Sequence, residues 1–312
     1  MDNQLPNFLI LGSAKCATTS LHFYLNQHPD IFMTAKKECH YFCNQDIAAG
    51  LYKAQYRPVP SLEDYQALFK GSADVNVRGE SSPMYLFYEQ TAERIYQVCP
   101  HIKMVAVLRN PADRAYSAYL HAVRDGLEEL SFEQAIAAEP ERMASGKFSA
   151  THAYHEFGFY YRKLKPYFDR FPREQLQVFL YEEVSSSMQR TLKDICRFLQ
   201  VDADFAFDTR PKLNVSGIPK REWLDRFVRL ASGDRLWARL FRKPFPKHAW
   251  IRIVKSVQYA NYEKPEFSSD ARQRTLATYA EDIEALSDLL GRDLAKFWGV
   301  RTSEHASVSG QG

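Results

Sequence analysis

The residues of this chain that are best suited to chemistry lie in a short loop near its start. Residues 12–20 are Gly-Ser-Ala-Lys-Cys-Ala-Thr-Thr-Ser, so that one lysine stands among small residues and three hydroxyl side chains follow it. A cation and hydroxyl donors at this spacing are suited to binding an anion. They are especially so where the loop leads into a helix whose free N–H groups point to the same place.

The residues on both sides of this loop predict the elements that hold it. Phe8 to Leu11 form an apolar run typical of a buried strand, and Thr18 to Leu25 show apolar residues at helical spacing. The common phosphate loop, G-x-x-x-x-G-K-[ST], is not matched, because Ala17 replaces its second glycine and Thr18 its lysine. An ordinary strand-to-helix turn with a solvated lysine is the alternative at this point.

A second candidate stretch, residues 36–42, is Lys-Lys-Glu-Cys-His-Tyr-Phe. Its carboxylate and imidazole, Glu38 and His40, are groups that can accept a proton from a substrate. A solvated loop with an aromatic anchor would have the same composition.

A third candidate stretch begins with a continuous apolar run from Met104 to Leu108, which predicts a strand buried on both faces of a parallel sheet. Arg109 follows, and then a turn and a helix that contains Ser117. Arg109 is therefore expected at the carboxyl end of a central strand, where open α/β sheets bind ligands. Its guanidinium could bind a phosphate through two parallel hydrogen bonds.

Together these stretches resemble sulfotransferases that use 3′-phosphoadenosine 5′-phosphosulfate (PAPS), in particular bacterial relatives of the heparan sulfate sulfotransferases. The loop is similar to the family's 5′-phosphosulfate loop, residues 37–42 to its Lys/Arg-Glu-x-His-Phe/Tyr-Phe segment, and residues 109–117 to its 3′-phosphate element. Residues 80–85 and 181–183 resemble two further family elements. Ser81 stands where some relatives have a lysine, so that lysine's role is not carried over.

The resemblance implies an α/β, P-loop-like three-layer domain over residues 1–300, with a central parallel sheet flanked by helices. It implies sulfuryl transfer from PAPS to a hydroxyl or amine of a carbohydrate, glycolipid or small natural product. Glu38 is then the expected base, Lys15 stabilises the transition state, and His40 positions the acceptor or shares the role of base. The residues expected at the nucleotide are Lys15, Cys16, Ala17, Thr18, Thr19, Ser20, Arg109, Ser117, Tyr181, Lys220 and Arg221.

Two other classes of function are alternatives. An atypical kinase using Mg-ATP is disfavoured by the displaced loop lysine and by the Arg109–Ser117 pair. Because the loop lacks the lysine-serine pair that places Mg²⁺, no metal requirement is expected. A non-catalytic nucleotide-binding or membrane-surface protein would instead use residues 220–255, where eleven Lys or Arg residues against three Asp or Glu are interleaved with aromatic residues. That region could equally form a wall of the acceptor site, or only a solvated face over aromatic residues of the core.

Apolar residues at helical spacing predict the remaining helices. One predicted helix runs from Ser61 to Phe69, with Ser61 as its cap, and another begins at Ala112, with Leu127 continuing its apolar face. A third runs from Met188 to Leu199, and a single long helical segment is predicted from Ser268 to Trp298.

The composition of the chain limits the binding partners and the cellular compartment that are expected for it. The net charge of +3 is too small to indicate a nucleic-acid partner. No apolar run approaches a membrane span, and the first strand begins near Asn7, which leaves no room for a signal peptide. Five cysteines, an odd number, fit a reducing compartment, and Cys16 is expected to fill space rather than to react. A cytoplasmic protein is therefore expected, with a disordered tail over residues 301–312. The acceptor and the oligomeric state are not predicted.

Overall fold

A computed structural model of the chain describes residues 5–47, 57–145, 150–210, 217–221, 223–224, 257 and 260–300. The strands are Phe8–Gly12 (β1), Ile31–Met33 (β2), Val77–Ser81 (β3), Lys103–Leu108 (β4), Leu176–Leu180 (β5), Ile218–Pro219 (β6) and Tyr262–Glu263 (β7). The first five form one parallel sheet in the order β2-β3-β1-β4-β5, and the last two form an antiparallel pair.

Helices lie between the strands and after them. The α-helices are Thr18–Leu25 (α1), Asn44–Asp46 (α2), Leu62–Ala67 (α3), Thr91–Val98 (α4), Pro111–Arg124 (α5), Phe132–Ala144 (α6), Tyr160–Arg170 (α7), Tyr181–Ser186 (α8), Met188–Leu199 (α9), Ser269–Ala277 (α10), Ala280–Leu290 (α11) and Leu294–Trp298 (α12). None of the helices in the described ranges is both long enough and apolar enough to cross a membrane.

Two apolar cores lie on opposite faces of the five-stranded sheet. Leu9 and Leu11 of β1 contact one core, which contains residues of α4, α7 and α11, whereas Phe8 and Ile10 contact the other, which contains residues of α1 and α9. Alternate residues of a strand point to opposite faces, so both faces of β1 are covered and its whole run is apolar. The predicted architecture of a parallel sheet between two helical layers is confirmed.

The strand order places three chain segments at one edge of the sheet. From β1 the chain passes through α1 to β2 on one side of β1, and after β3 it crosses to β4 on the other side. Ile10 pairs with Ser81 of β3 and Gly12 with Ala106 of β4, so the carboxyl ends of these strands lie together. This edge is the switch point at which open α/β sheets bind ligands.

Two helix predictions are wrong. The single helix predicted over residues 268–298 is three helices, because the backbone at Tyr279 leaves the helical region before α11 and Gly291, with a φ of +65°, ends that helix. Helix α5 ends at Arg124, so Leu127 does not continue its apolar face and is 38% exposed. By contrast, Ser61 caps α3 as predicted, since its hydroxyl accepts from the Asp64 N–H.

Several predictions concern residues that the structure does not describe. The tail 301–312 and most of the basic region 220–255 lie outside the described residues. The single-domain organisation over residues 1–300, the disordered tail, the anionic-surface contact of region 220–255 and the cytoplasmic location stay predictions.

Candidate active site

The loop after β1 has a backbone conformation that needs support from its surroundings. Lys15 and Ala17 have φ values of +70° and +61°, in the left-handed region that side chains disfavour. The Ser13 N–H donates to the Val107 carbonyl at 2.8 Å and so ties the loop to β4. Gly12 has a φ of +139°, and a Cβ atom there would lie 2.8 Å from the Pro83 carbonyl oxygen. Only glycine fits between β1 and the turn that follows β3.

Helix α1 starts directly from this loop. Its N-cap residue is Ala17, which makes no side-chain hydrogen bond to the N–H groups of the first turn. Those N–H groups and the positive end of the helix dipole therefore face the loop. Thr18 is buried, and Thr19 and Ser20 are half-buried beside it. The structure thus brings the predicted residues 15–20 together in one candidate anion cradle, the loop and the start of α1.

The Cys16 side chain points away from solvent into the core. It is fully buried among residues of β1 and α1, and burial raises the pKa of its thiol to about 12. The thiol stays protonated at neutral pH and fills space beneath the loop. A role of this residue at the nucleotide, through its backbone, stays a prediction.

Positive charge is concentrated around Lys15. Burial, together with the charges of Arg124 and Arg109 and against the opposing effect of Asp125, lowers the pKa of Lys15 to about 7. Burial and the charges of Lys15 and Arg124 also lower the pKa of His121. His121 and Arg124 come from the same face of α5, because residues three apart on a helix are neighbours. The cradle is therefore suited to a polyanion.

Arg109 lies where the sequence predicted it, directly after β4. The carbon atom of its guanidinium lies 4.6 Å from the ring centre of Tyr181, at the start of α8. Its carbonyl oxygen accepts from the Tyr160 hydroxyl at 2.9 Å. Asn110 caps α5 through its side-chain oxygen, and Ser117 lies two turns further along as a buried residue. Arg109 and Tyr181 are thus in contact at the switch point, beside the helix that carries Ser117.

The catalytic candidates lie against the end of β3. The Glu38 N–H donates to the Ser81 carbonyl at 2.9 Å, and the His40 N–H donates to the Ser82 hydroxyl at 3.1 Å. Glu38 and His40 both have left-handed φ values, +62° and +52°. The Glu38 side chain is 26% exposed and pairs with Lys37, and its other oxygen lies 3.8 Å from His40 Nε2. These contacts fix both side chains at one place.

Burial determines the protonation state of the imidazole. The His40 side chain is 0% exposed, and burial lowers its pKa to about 4, so it is neutral at neutral pH. Burial and the charge of Lys37 lower the pKa of His22, a residue of α1, to about 4. Because the charge of Lys37 acts on His22, the segment of residues 36–42 lies close to α1. The carboxylate of Glu38 is therefore the exposed member of the pair, beside the helix that begins at the cradle.

Four charged residues of this region were not predicted as site residues. Glu80 is fully buried at the end of β3 and accepts hydrogen bonds from Ser82 and Tyr65. Lys37 pairs with Glu38, and Arg124 acts on Lys15. Burial and the charge of Arg109 lower the pKa of Lys264, which follows β7. A carboxylate within a strand pattern was the available signal for Glu80. No local signal indicated Lys264.

Lys220 and Arg221 are exposed residues after β6. The Lys220 N–H donates to the Asn261 carbonyl at 2.7 Å, and the Asn261 side chain hydrogen-bonds to the backbone of Arg221 at 3.0 and 3.2 Å. The neighbouring Tyr262 ring lies 5.8 Å from the guanidinium of Arg124. The two residues are thus held near α5, and their contact with the nucleotide stays a prediction.

Among the residues that the structure describes, no three His, Cys, Asp or Glu side chains lie close enough together to hold a metal ion. The expectation that no metal is required stays a prediction.

Comparisons with known proteins agree on one family. The model of the sulfotransferase domain matches residues 5–221, which include the cradle, residues 36–42 and Arg109. A sulfotransferase crystal structure from Alicyclobacillus acidocaldarius superimposes with a TM-score of 0.72 and 32% identity, over 95% of this chain and 99% of that one.

Curated relatives match over part of their length. The membrane-associated sulfotransferase kil1 of Dictyostelium discoideum is 32% identical over 145 residues, which are 44% of this chain and 28% of kil1. The human bifunctional heparan sulfate N-deacetylase/N-sulfotransferase 2 is 28% identical over 208 residues, 64% of this chain and 22% of that protein. With the family match over more than half of the chain, these similarities show that this protein belongs to the sulfotransferase family.

Proposed function

We propose that this sulfotransferase takes its sulfuryl group from PAPS and transfers it to a hydroxyl or amine of a saccharide or another small acceptor. The observation that supports PAPS as the donor is the concentration of positive charge at the cradle. Lys15 is half-buried there close to Arg109 and Arg124, and its pKa is lowered to about 7. Asp125 pairs with Arg124 and offsets part of the repulsion among these cations, and a bound anion would offset more of it. A nucleotide with a phosphosulfate at one end and a 3′-phosphate at the other supplies that charge.

Different residues of the cradle and its surroundings bind the two charged ends of this nucleotide. Lys15, with the N–H groups and hydroxyls of residues 16–20, binds the phosphosulfate and stabilises charge on the oxygens around the sulfur. Arg109 binds the 3′-phosphate together with Ser117, and Tyr181 holds the plane of its guanidinium. PAPS supplies an activated sulfuryl group, whose transfer leaves 3′-phosphoadenosine 5′-phosphate (PAP).

Exposure favours one of the two catalytic candidates as the group that takes the acceptor proton. The Glu38 side chain is partly exposed whereas that of His40 is fully buried. Glu38 is therefore the base, and His40 lies behind it as a neutral side chain that fixes its position. A positioned general base contributes on the order of 10²–10⁴-fold to the rate.

A saccharide is the first acceptor to test. The human relative is named for heparan sulfate, and it shares 28% identity with this chain. An N-deacetylated heparosan oligosaccharide offers both amines and hydroxyls, so it tests both kinds of acceptor group at once.

The donor is tested by thermal unfolding with PAP and with ATP, each with and without Mg²⁺. Binding of PAP at a hundred times its dissociation constant is expected to add about 2.7 kcal/mol of stability, independently of Mg²⁺. Stabilisation by Mg-ATP alone would instead support the kinase alternative.

The base is tested by Glu38→Gln, with radioactive PAPS as donor and the oligosaccharide as acceptor. The variant is expected to bind PAP normally and to lose on the order of 10²–10⁴-fold in transfer. Glu63→Gln, at an exposed position in α3, is the matched control. Full activity of the Glu38 variant would remove this residue from the mechanism.

A further inference from the structure

A buried carboxyl group lies next to the catalytic segment, residues 36–42. Glu80, near the end of β3, is 0% exposed. Its Oε2 accepts from the Ser82 hydroxyl at 2.8 Å, and its Oε1 accepts from the Tyr65 hydroxyl at 3.3 Å. Both oxygens therefore accept hydrogen bonds inside the protein.

One of these hydrogen bonds continues to the catalytic segment. The Ser82 hydroxyl donates a hydrogen bond to Glu80, and its oxygen accepts one from the His40 N–H at 3.1 Å. This contact joins residues that lie 42 positions apart in the chain. Because His40 and Glu38 both have left-handed backbone conformations, their segment needs fixed hydrogen bonds on each side to keep its shape.

We propose that Glu80 is a positioning residue for sulfuryl transfer, which orients the Ser82 hydroxyl so that it holds the His40 N–H and keeps the Glu38 carboxylate directed at the acceptor. This inference rests on the proposed role of Glu38 as the base. It concerns a residue that touches neither the donor nor the acceptor.

The energetic cost of Glu80 supports a role beyond stability. Burial raises the pKa of this carboxyl to about 7, although hydrogen bonds oppose the shift. An ionised carboxylate at a fully buried position is unfavourable, and an apolar side chain of similar volume would suit the core better. Keeping a carboxylate there is explained by the hydrogen-bond geometry that it imposes on Ser82.

The test compares two variants that each remove one hydroxyl from Glu80. Ser82→Ala breaks the link to His40, whereas Tyr65→Phe removes the hydrogen bond from Tyr65 to Glu80 and leaves the link intact. We expect Ser82→Ala to lower kcat by on the order of 10- to 100-fold, since small displacements of a catalytic group have effects of this size. The dissociation constant of PAP, measured by calorimetry, should be unchanged. Tyr65→Phe should leave both quantities unchanged.

Two substitutions of Glu80 itself complete the series. Glu80→Met keeps the volume and removes both acceptors, so it should lower kcat as Ser82→Ala does. The amide of Glu80→Gln can still accept a hydrogen bond from Ser82 and donate one to Tyr65, so this variant should keep most of the wild-type activity. Equal loss in the Gln and Met variants would overturn the proposal.

Hydrogen exchange provides a readout that does not depend on turnover. With PAP bound, amide exchange in a peptide covering residues 36–42 should be faster in Ser82→Ala and Glu80→Met than in Tyr65→Phe. Unchanged exchange and unchanged kcat in Ser82→Ala would overturn the inference, as would an equal effect of Tyr65→Phe. The Glu38→Gln experiment tests the base separately: if that variant is active, the proposed mechanism fails, while the exchange data still test the link between Glu80 and the segment.

Discussion

Binding of PAP should be accompanied by uptake of a proton at Lys15, and this proton uptake should be absent in Lys15→Met. In the free protein the pKa of Lys15 is lowered to about 7 by burial and by the positive charges of Arg124 and Arg109. A phosphate placed in the cradle opposes these effects and raises the pKa, because a negative charge nearby favours the ammonium form. The free lysine is half protonated near pH 7, and the lysine beside the ligand is fully protonated.

The size of the uptake follows from this change in pKa. It is about 0.1 proton at pH 6, about 0.5 at pH 7 and about 0.9 at pH 8, if the pKa in the complex lies well above 8. Because the complex binds the additional proton, the affinity for PAP falls as the pH rises through 7. The expected loss between pH 7 and pH 8 is about fivefold.

Titration calorimetry in buffers of different ionisation enthalpy measures this quantity, since the slope of the apparent binding enthalpy gives the protons exchanged. A phosphate of the ligand that titrates near pH 6 releases protons on binding, so the relevant value is the difference between the wild type and Lys15→Met. Lys36→Met is the matched control, because Lys36 is an exposed lysine whose ammonium donates to the Arg57 carbonyl. Identical slopes for the wild type and Lys15→Met at pH 8 would refute the reasoning.

Three further substitutions test the donor site, the loop and the buried carboxylate. Arg109→Lys removes the guanidinium that stacks on Tyr181 and that is proposed to bind the 3′-phosphate through two hydrogen bonds. Calorimetry should show PAP binding weakened about tenfold. An equal loss of affinity for adenosine 5′-phosphosulfate, which lacks the 3′-phosphate, would contradict the assignment of Arg109 to that phosphate. Gly12→Ala should cost roughly 1–3 kcal/mol of unfolding free energy in urea, more than Gly291→Ala, where no atom would contact the added Cβ within 4 Å. For Glu80, whose pKa is raised to about 7 from 4.5, the folded state keeps a proton that the unfolded state loses. Wild-type stability should therefore fall by about 3 kcal/mol from pH 4 to pH 8 relative to Glu80→Gln, and parallel pH profiles in urea would contradict this.

The sequence by itself determined the elements whose signals are local. The apolar runs at residues 8–11 and 104–108 predicted β1 and β4, because strands covered on both faces have no polar alternation. Helical spacing predicted α1 and α9 with the bounds that the structure has. The loop, residues 36–42 and Arg109 each form a contiguous motif, so they could be recognised without knowledge of how the chain folds.

The tertiary structure alone decided which of these motifs meet and through what contacts. Arg124 lowers the pKa of Lys15 from more than a hundred positions away in the chain, and Ser82 links Glu80 to His40 at the end of the sheet. The break at Tyr279, which divides the predicted C-terminal helix, also has no local signal. The physical reason is that these contacts depend on the order and register of parallel strands joined by long crossovers. Residues that are distant in the chain therefore lie together only after the sheet has formed.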